Sequence, residues 1–272
     1  MIGMTALPMP IPSNYPDAPL NEVVDAVTIR CVEDINPAAR ALAELARDRE
    51  LRVATCDDIS SAAPMVDAEG TIINADIFGY TGEGEQWWED RRLALHSPLP
   101  NACRYESEPF WINAEGFHGA WSNRYLEQID LSDFENKVLG KSTIVIPVHL
   151  PFAQISTNCF SPIDNNKADL SAEFAEHGQL LSAAVRRFIS GYVQVMRDKH
   201  RIPSDCSLSK REVECLRWAA VGKTDMEISM ILERSHATVR YHVHRAGEKL
   251  NAVNRAQAIF KAGQLGYLGA NG

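Results

Sequence analysis

The spacing of apolar residues changes along the chain, and each change predicts an element. From Val23 to Glu50 the spacing is helical, interrupted by Pro37, with an Ala- and Leu-rich stretch from Ala38 to Arg49 of high helix propensity. Thr143–His149 and Gln154–Phe160 are β-rich runs across a short Leu150-Pro-Phe-Ala153 turn, which predicts a hairpin. Leu170, Phe174, Leu181, Val185, Phe188, Ile189, Tyr192 and Met196 then mark one long amphipathic helix. Arg197 to Cys206 has charges, Pro203 and no period, and reads as a linker.

Beyond the linker the pattern is helical again, and each helix carries its own start signal. Ser209-Lys-Arg-Glu212 and Thr224-Asp-Met-Glu227 are capping boxes, while Ser235 and Asn254 are further N-caps. Gly222 stands where a helix end favours positive φ. The predicted inward residues are Val213, Leu216 and Ala220 in the first helix and Ile228, Ile231 and Leu232 in the second. In the third they are Val239, Val243, Ala246 and Leu250, and in the fourth Ala256, Ile259, Phe260 and Gly263. A helix, a short turn and a helix make the helix-turn-helix arrangement.

Charge sharpens this picture. The 272 residues carry 27 Lys and Arg against 36 Asp and Glu, a net charge of −9 that alone argues against nucleic acid. Residues 201–272, however, hold 11 basic and 7 acidic residues (+4), leaving 16 and 29 (−13) for the remainder. A basic C-terminal module on an acidic partner domain is the asymmetry of a DNA-binding protein. The third helix opposes its buried stripe with Ala237, Arg240, Tyr241, His244 and Glu248, and no acid lies between His236 and Gly247. Arg240 is suited to grip guanine O6 and N7 with two donors.

Other classes find little support. No run of about 18 apolar residues spans a bilayer. The start, with Pro8, Pro10, Pro12, Pro16 and Pro19 and no basic region, does not read as a signal peptide, so a cytoplasmic location is expected. The six cysteines are dispersed and read as free thiols. The histidines lack ligand spacing, and nucleophile-elbow, zinc-protease and P-loop motifs are missing, so neither metal, cofactor nor catalysis is expected. Asp57-Asp58 comes too late, and without a βα repeat, for a phosphoacceptor domain.

Leu208–Trp218, Gly222-Lys-Thr224, Glu227-Ile228, Ile231-Leu232, Ser235, Thr238-Val239, His242-Val243, Lys249-Leu250 and Asn254–Ala258 closely resemble the LuxR-type helix-turn-helix. The resemblance implies a four-helix DNA-binding domain shared by quorum-sensing and two-component regulators. It carries base reading onto Arg240, Tyr241 and His244, and phosphate contact onto Lys223, Thr224, Thr238 and Arg245. His244 replaces the Lys or Arg often found at its position.

The layout of helices and hairpin before the linker looks like the autoinducer-binding domain of the quorum-sensing branch. The fold class implied is α+β: an N-terminal α/β/α sandwich (21–196) after a Pro-rich segment (1–20), a linker (197–206) and the four-helix domain (207–272). Residues Tyr80, Trp87, Trp88, Ser97, Tyr105, Trp111 and Ser156 are the candidate ligand contacts, Ser156 by resemblance to a position that bonds an acyl carbonyl. Ser97 stands in place of the Asp that holds the amide of an acyl-homoserine lactone, and Arg91 or Arg92 in place of a Tyr. A hydroxyl cannot give a ligand N–H the charge-assisted bond of a carboxylate. Either the ligand differs, Glu89 or Asp90 substitutes, or the pocket is empty. By the same resemblance Leu181, Val185 and Phe188 face a second copy of the chain, the other reading being burial against the chain's own sheet. The expected partners are double-stranded DNA, a homodimer mate, a small-molecule effector and RNA polymerase, with no membrane. The alternative is a ligand-independent regulator whose N-terminal domain is a protein-interaction scaffold.

Overall fold

The first helical stretch breaks in two, and not at its proline. In the computed structural model, which describes residues 19–61, 63–82, 88, 97–132, 134–138, 140–196 and 206–269, α1 spans Leu20–Ala26 and α2 spans Ile35–Arg47. Pro37 lies in the first turn of α2, where the amides have no intrahelical acceptor, so its missing N–H costs nothing. The break is upstream, where the Arg30 and Cys31 amides donate to Asp34 Oδ2 at 2.8 and 3.2 Å. The Pro-rich residues 1–18, Trp87, Glu89, Asp90, Arg91, Arg92 and linker residues 197–205 lie outside the described residues.

The chain divides into two compact units, with the main boundary between Arg197 and Asp198. In the first unit, β1 (Leu51–Cys56) follows α2. Next come α3 (Pro98–Ala102), β2 (Phe110–Asn113), β3 (Gly116–His118) and α4 (Phe134–Val138). The predicted hairpin is β4 (Ser142–His149) and β5 (Ile155–Pro162), and the long helix is α5 (Ser171–Met196). Among the described residues these strands form one antiparallel sheet in the order β1-β5-β4-β2-β3.

Strand alternation sends side chains to two different cores. Leu51, Val53, Ile144, Ile146, Val148 and Phe160 face α2 and α5, where they meet Leu42, Leu45, Leu181, Val185 and Phe188. Phe110, Ile112 and Val145 face the other way, onto Leu99, Ala102, Phe134 and Val138 of α3 and α4. The unit is therefore an α/β/α sandwich. β1 is an edge strand, and buried Asn74 satisfies it: Asn74 Oδ1 accepts from the Thr55 amide at 2.9 Å and Nδ2 donates to the Thr55 carbonyl at 2.7 Å. Gly191 lets α5 approach the chain after α1, because a Cβ there would sit 2.6 Å from the Ile29 carbonyl oxygen.

One expectation about α5 needs correction. Leu181, Val185 and Phe188 are fully buried within their own unit, so they cannot be the contact face for another copy. Apolar spacing identified a buried face but could not say which neighbour buries it. The outward face instead carries Glu176, Gln179, Arg186, Arg187, Ser190 and Gln194.

The second unit holds α6 (Lys210–Ala220), α7 (Asp225–Ile231), α8 (His236–Lys249) and α9 (Arg255–Gln264). Leu216, Ala246, Leu250, Ala258 and Ala262 form one core, and Cys215, Ala219, Ile228 and Val239 another. The stripe predicted for α8 is inward, though Val243 is only half-buried. In α9 the buried residues are Ala258 and Ala262, with Ile259 packed against them as expected, while Ala256, Phe260 and Gly263 are exposed rather than inward. In α6 it is Ala219 rather than Ala220 that is buried, and Ile231 of α7 is exposed. No described helix is long and apolar enough to cross a membrane.

Candidate nucleic-acid interface and sensor cavity

Side-chain caps fix the helix starts of the second unit. Ser209 Oγ accepts from the Glu212 amide, and Thr224 Oγ1 from the Glu227 amide at 3.3 Å; each Glu accepts the cap residue's own amide at 2.8 Å. Ser235 Oγ accepts from the Thr238 amide at 3.1 Å and Asn254 Oδ1 from the Gln257 amide at 2.8 Å. The turn between α7 and α8 places Glu233 at φ +52 and returns the Arg234 amide to the Ser229 carbonyl at 2.9 Å. That left-handed residue sets the angle at which α8 leaves α7.

Two ion pairs brace the array. Lys249 Nζ lies 2.9 Å from Glu212 Oε2, tying α8 to α6. Burial alone would raise the Glu212 carboxyl, but hydrogen bonds from Lys249 and the Ser209 amide hold it below the ordinary carboxylate range. Arg255 pairs with Asp225 and donates to the Lys223 carbonyl at 2.7 Å, joining α9 to the start of α7. Both acids fall inside a net-basic module, which is the signal that pointed to partners and that sequence reasoning passed over.

On α8, Ala237, Arg240, Tyr241, His244 and Arg245 are all exposed. Arg240 has no hydrogen-bond or ion-pair partner among the described residues. Tyr241 presents its ring edge-on to His242 at 5.5 Å. Arg245 is less free: Glu248 Oε2 accepts from Nη1 at 2.6 Å and raises the guanidinium's pKa, while Glu248 Oε1 lies 3.7 Å from His244 Nε2. Lys223 Nζ is 3.5 Å from Glu227, the Thr224 hydroxyl is engaged as a cap, and Thr238 Oγ1 shares a 2.8 Å hydrogen bond with Ser235.

The first unit contains a cavity of about 110 Å³ on the α3/α4 side of the sheet. Of the candidate ligand residues, Tyr80 and Ser97 line it. Trp88 and Trp111 instead pack in the core on the α2/α5 side, Trp111 stacked on His118 with centroids 3.9 Å apart. Tyr105 is half-exposed and stacks on Tyr125 at 5.6 Å, so it is a surface residue. Ser156 pairs with Val148 and accepts from Asn158 Nδ2 at 2.9 Å on the α2/α5 face; the cavity side belongs to Thr157, one residue along. A one-residue error in a strand inverts the face. Trp87 lies outside the described residues.

The missed cavity residues are Arg52, Thr55, Thr157, Cys56, Cys159 and Ser161. For Arg52, Thr55 and Cys56 the signal is the apolar–polar alternation at the start of Leu51–Cys56, and for Thr157, Cys159 and Ser161 it is the alternation of the second hairpin strand. Arg52 places its guanidinium over the Tyr80 ring, 4.3 Å from the centroid, and donates to the Gly79 carbonyl at 3.3 Å. Burial pushes the Cys56 thiol up to about 12 and the Cys159 thiol up as well, so both are neutral. Among the described residues the buried Thr55 hydroxyl has no hydrogen-bond partner, while the Thr157 hydroxyl lies beside the buried Cys103 thiol and lowers its pKa against the larger rise from burial.

Residues 206–262 match the family described as bacterial regulatory proteins, luxR family. The chain is 51% identical over 209 residues to the transcriptional activator protein LuxR of Aliivibrio fischeri, a match covering 71% of this chain and 75% of that protein. It is 35% identical over 129 residues to the transcriptional activator protein VanR of Vibrio anguillarum, covering 47% of this chain and only about half, 52%, of VanR. Among solved structures it is similar to Escherichia coli SdiA at 23% identity and a TM-score of 0.41, over 70% of this chain and 75% of that one.

Proposed function

Because the chain belongs to the LuxR family of bacterial regulatory proteins, we propose that it is a dimeric transcription regulator that binds an inverted-repeat site and answers to a small molecule. The second unit binds duplex DNA through α8. The observation that carries this is Arg240, exposed and unpaired among the described residues, beside Tyr241 and His244 on the helix that follows the α7–α8 turn. Phosphate contacts from Lys223, Thr224, Thr238 and Arg245 fix register without reading sequence. Two copies of α8 would meet major grooves about one turn, ~34 Å, apart, which is why a dimer suits the site.

The cavity of the first unit is the effector site in this reading, with Tyr80 and Ser97 on its wall. Effector binding biases the populations of domain arrangements through the linker and makes no covalent change. RNA polymerase is the partner expected of the DNA-bound dimer.

The test is Arg240→Ala in a competition mobility shift with promoter fragments. The expected loss is about 1–3 kcal/mol, with relaxed discrimination at one base pair per half-site. Uniform weakening on every sequence would remove Arg240 from the base-reading role.

A further inference from the structure

The loop that follows β3 leaves a large aromatic side chain in solvent. Trp121 is 59% exposed and has no hydrogen-bond or ring partner among the described residues. It lines a cleft of about 590 Å³ on the α3/α4 side of the sheet. The floor of the cleft is apolar, made by Phe110, Phe117, Leu126, Ile129 and Leu131. β3 ends the sheet, so no further strand among the described residues covers this side. Apolar side chains scattered singly over a surface need no explanation, whereas a contiguous group rimmed by polar residues marks an interaction site.

The rim sets the charge of the occupant. Glu106, Glu108, Glu115 and Glu127 line the cleft, and no Lys or Arg among the described residues does. Two of these carboxylates are committed to structure. Glu106 accepts the Ser107 and Glu108 amides at 2.9 and 3.0 Å and Asn123 Nδ2 at 3.1 Å. Glu127 accepts the Ser122 hydroxyl at 2.7 Å, so both acids fix the loop that carries Trp121. Glu108 and Glu115 are exposed, and neither carboxylate has a partner among the described residues. Asn113 Oδ1 accepts the amides of Glu115 and Gly116 at 2.9 and 3.3 Å, which holds the β2–β3 turn and with it Glu115. A surface held in this way loses little freedom when it is covered.

A cation that is also flat fits both the aromatic and the acids. The guanidinium of arginine stacks on aromatic faces and offers forked donors to carboxylates, while the lysine ammonium is a compact, strongly hydrated point charge. The same region already contains one such contact. The Arg124 guanidinium lies over the Tyr125 ring, 5.0 Å from its centroid, and that ring stacks on Tyr105 at 5.6 Å. We propose that this cleft docks an arginine-bearing segment of another protein. One guanidinium stacks on Trp121, the cations of the segment pair with Glu108 and Glu115, and its apolar side chains lie against Phe117 and Ile129. The surface shares no lining residue with the effector cavity, so it adds a partner to the regulator without resting on effector binding or DNA reading.

Fluorescence anisotropy of the full chain at near-physiological ionic strength tests it. The probe is a labelled nonapeptide alternating arginine with valine and serine, beside versions carrying lysine or the neutral arginine isostere citrulline. The arginine peptide should bind, the lysine version several-fold more weakly and the citrulline version about tenfold more weakly or worse. Trp121→Ala, and Glu108→Gln combined with Glu115→Gln, should each weaken binding about tenfold, the size of an interface hot spot. Trp121→Phe should keep part of the affinity. Removing two acids elsewhere on the unit, Glu44→Gln with Glu69→Gln, should leave it unchanged. Unaltered thermal midpoints separate a lost contact from a misfolded variant. In fluorotryptophan NMR, the resonance that Trp121→Phe removes should move when the peptide binds. No binding at millimolar peptide, equal binding of the citrulline version, or a still Trp121 resonance overturns the proposal. Equal weakening by the two pairs of acid substitutions overturns it too, because it reduces the attraction to net charge. So does spermidine binding with the same dependence on Trp121 while the peptide fails to bind, which would make the cleft a small-amine site.

Discussion

Glu212 shows how much a single side chain can hold at once. Its carboxylate closes the capping box of α6 and receives Lys249 from α8, and its side chain is only 7% exposed. Because its folded pKa lies below the ordinary carboxylate value, the unfolded chain binds the proton more readily. Its contribution is therefore complete above about pH 5 and fades as pH falls from about 4.3 through the depressed folded value. Glu212→Gln should cost about 1.5–3 kcal/mol near neutral pH, and the gap to the unmodified chain should narrow with acidification. Urea unfolding of the second unit, followed by circular dichroism across that range, measures it; a constant gap at every pH would show that charge plays no part. The caps were legible in the sequence because they obey a rule spanning four residues. The partners of Glu212 and Asp225 were not, because Lys249 and Arg255 lie 37 and 30 residues away and only the packed helices bring them together.

Among the elements, the sheet divides what spacing could reveal from what it could not. The β4–β5 hairpin was readable from two long β-rich runs; β2 and β3, of 4 and 3 residues, are too short to show a period. Apolar spacing gave α5 its length and its buried face but left the neighbour open, and the neighbour is the chain's own sheet. Phe188→Ala should thus destabilise the first unit by about 3–5 kcal/mol, read as a lower denaturation midpoint at any protein concentration. A midpoint shift that vanished on dilution would point instead to an intersubunit role. The misphased α9 has a different cause: its Ala- and Gly-rich turns offer little contrast between faces, so local pattern could not choose Ala258 and Ala262 over Ala256 and Gly263.

For the whole molecule, the split of charge matters more than its sum. A chain at −9 overall is attracted to DNA only where its cations are concentrated, and one of those concentrations is partly neutralised. Glu248 engages both Arg245 and His244 on the exposed side of α8. Glu248→Gln should release Arg245, tighten binding to all DNA sequences several-fold at low salt, and steepen the salt dependence by about one counterion per subunit. Fluorescence anisotropy over a salt series checks this. An unchanged slope would mean Arg245 already abandons Glu248 for phosphate. In the other unit the cavity was harder to foresee than the DNA helix, since its walls come from β1, β5 and α3, and residue order hides that convergence.

With its hydrophobic side committed to its own sheet, α5 leaves Arg186, Arg187 and Gln194 on its exposed face. Substitutions at exposed positions of this kind usually change stability by no more than about 0.5 kcal/mol. Related chains could therefore diverge in whom they associate with while inheriting the same interior, and kin sharing one cell could avoid forming mixed assemblies.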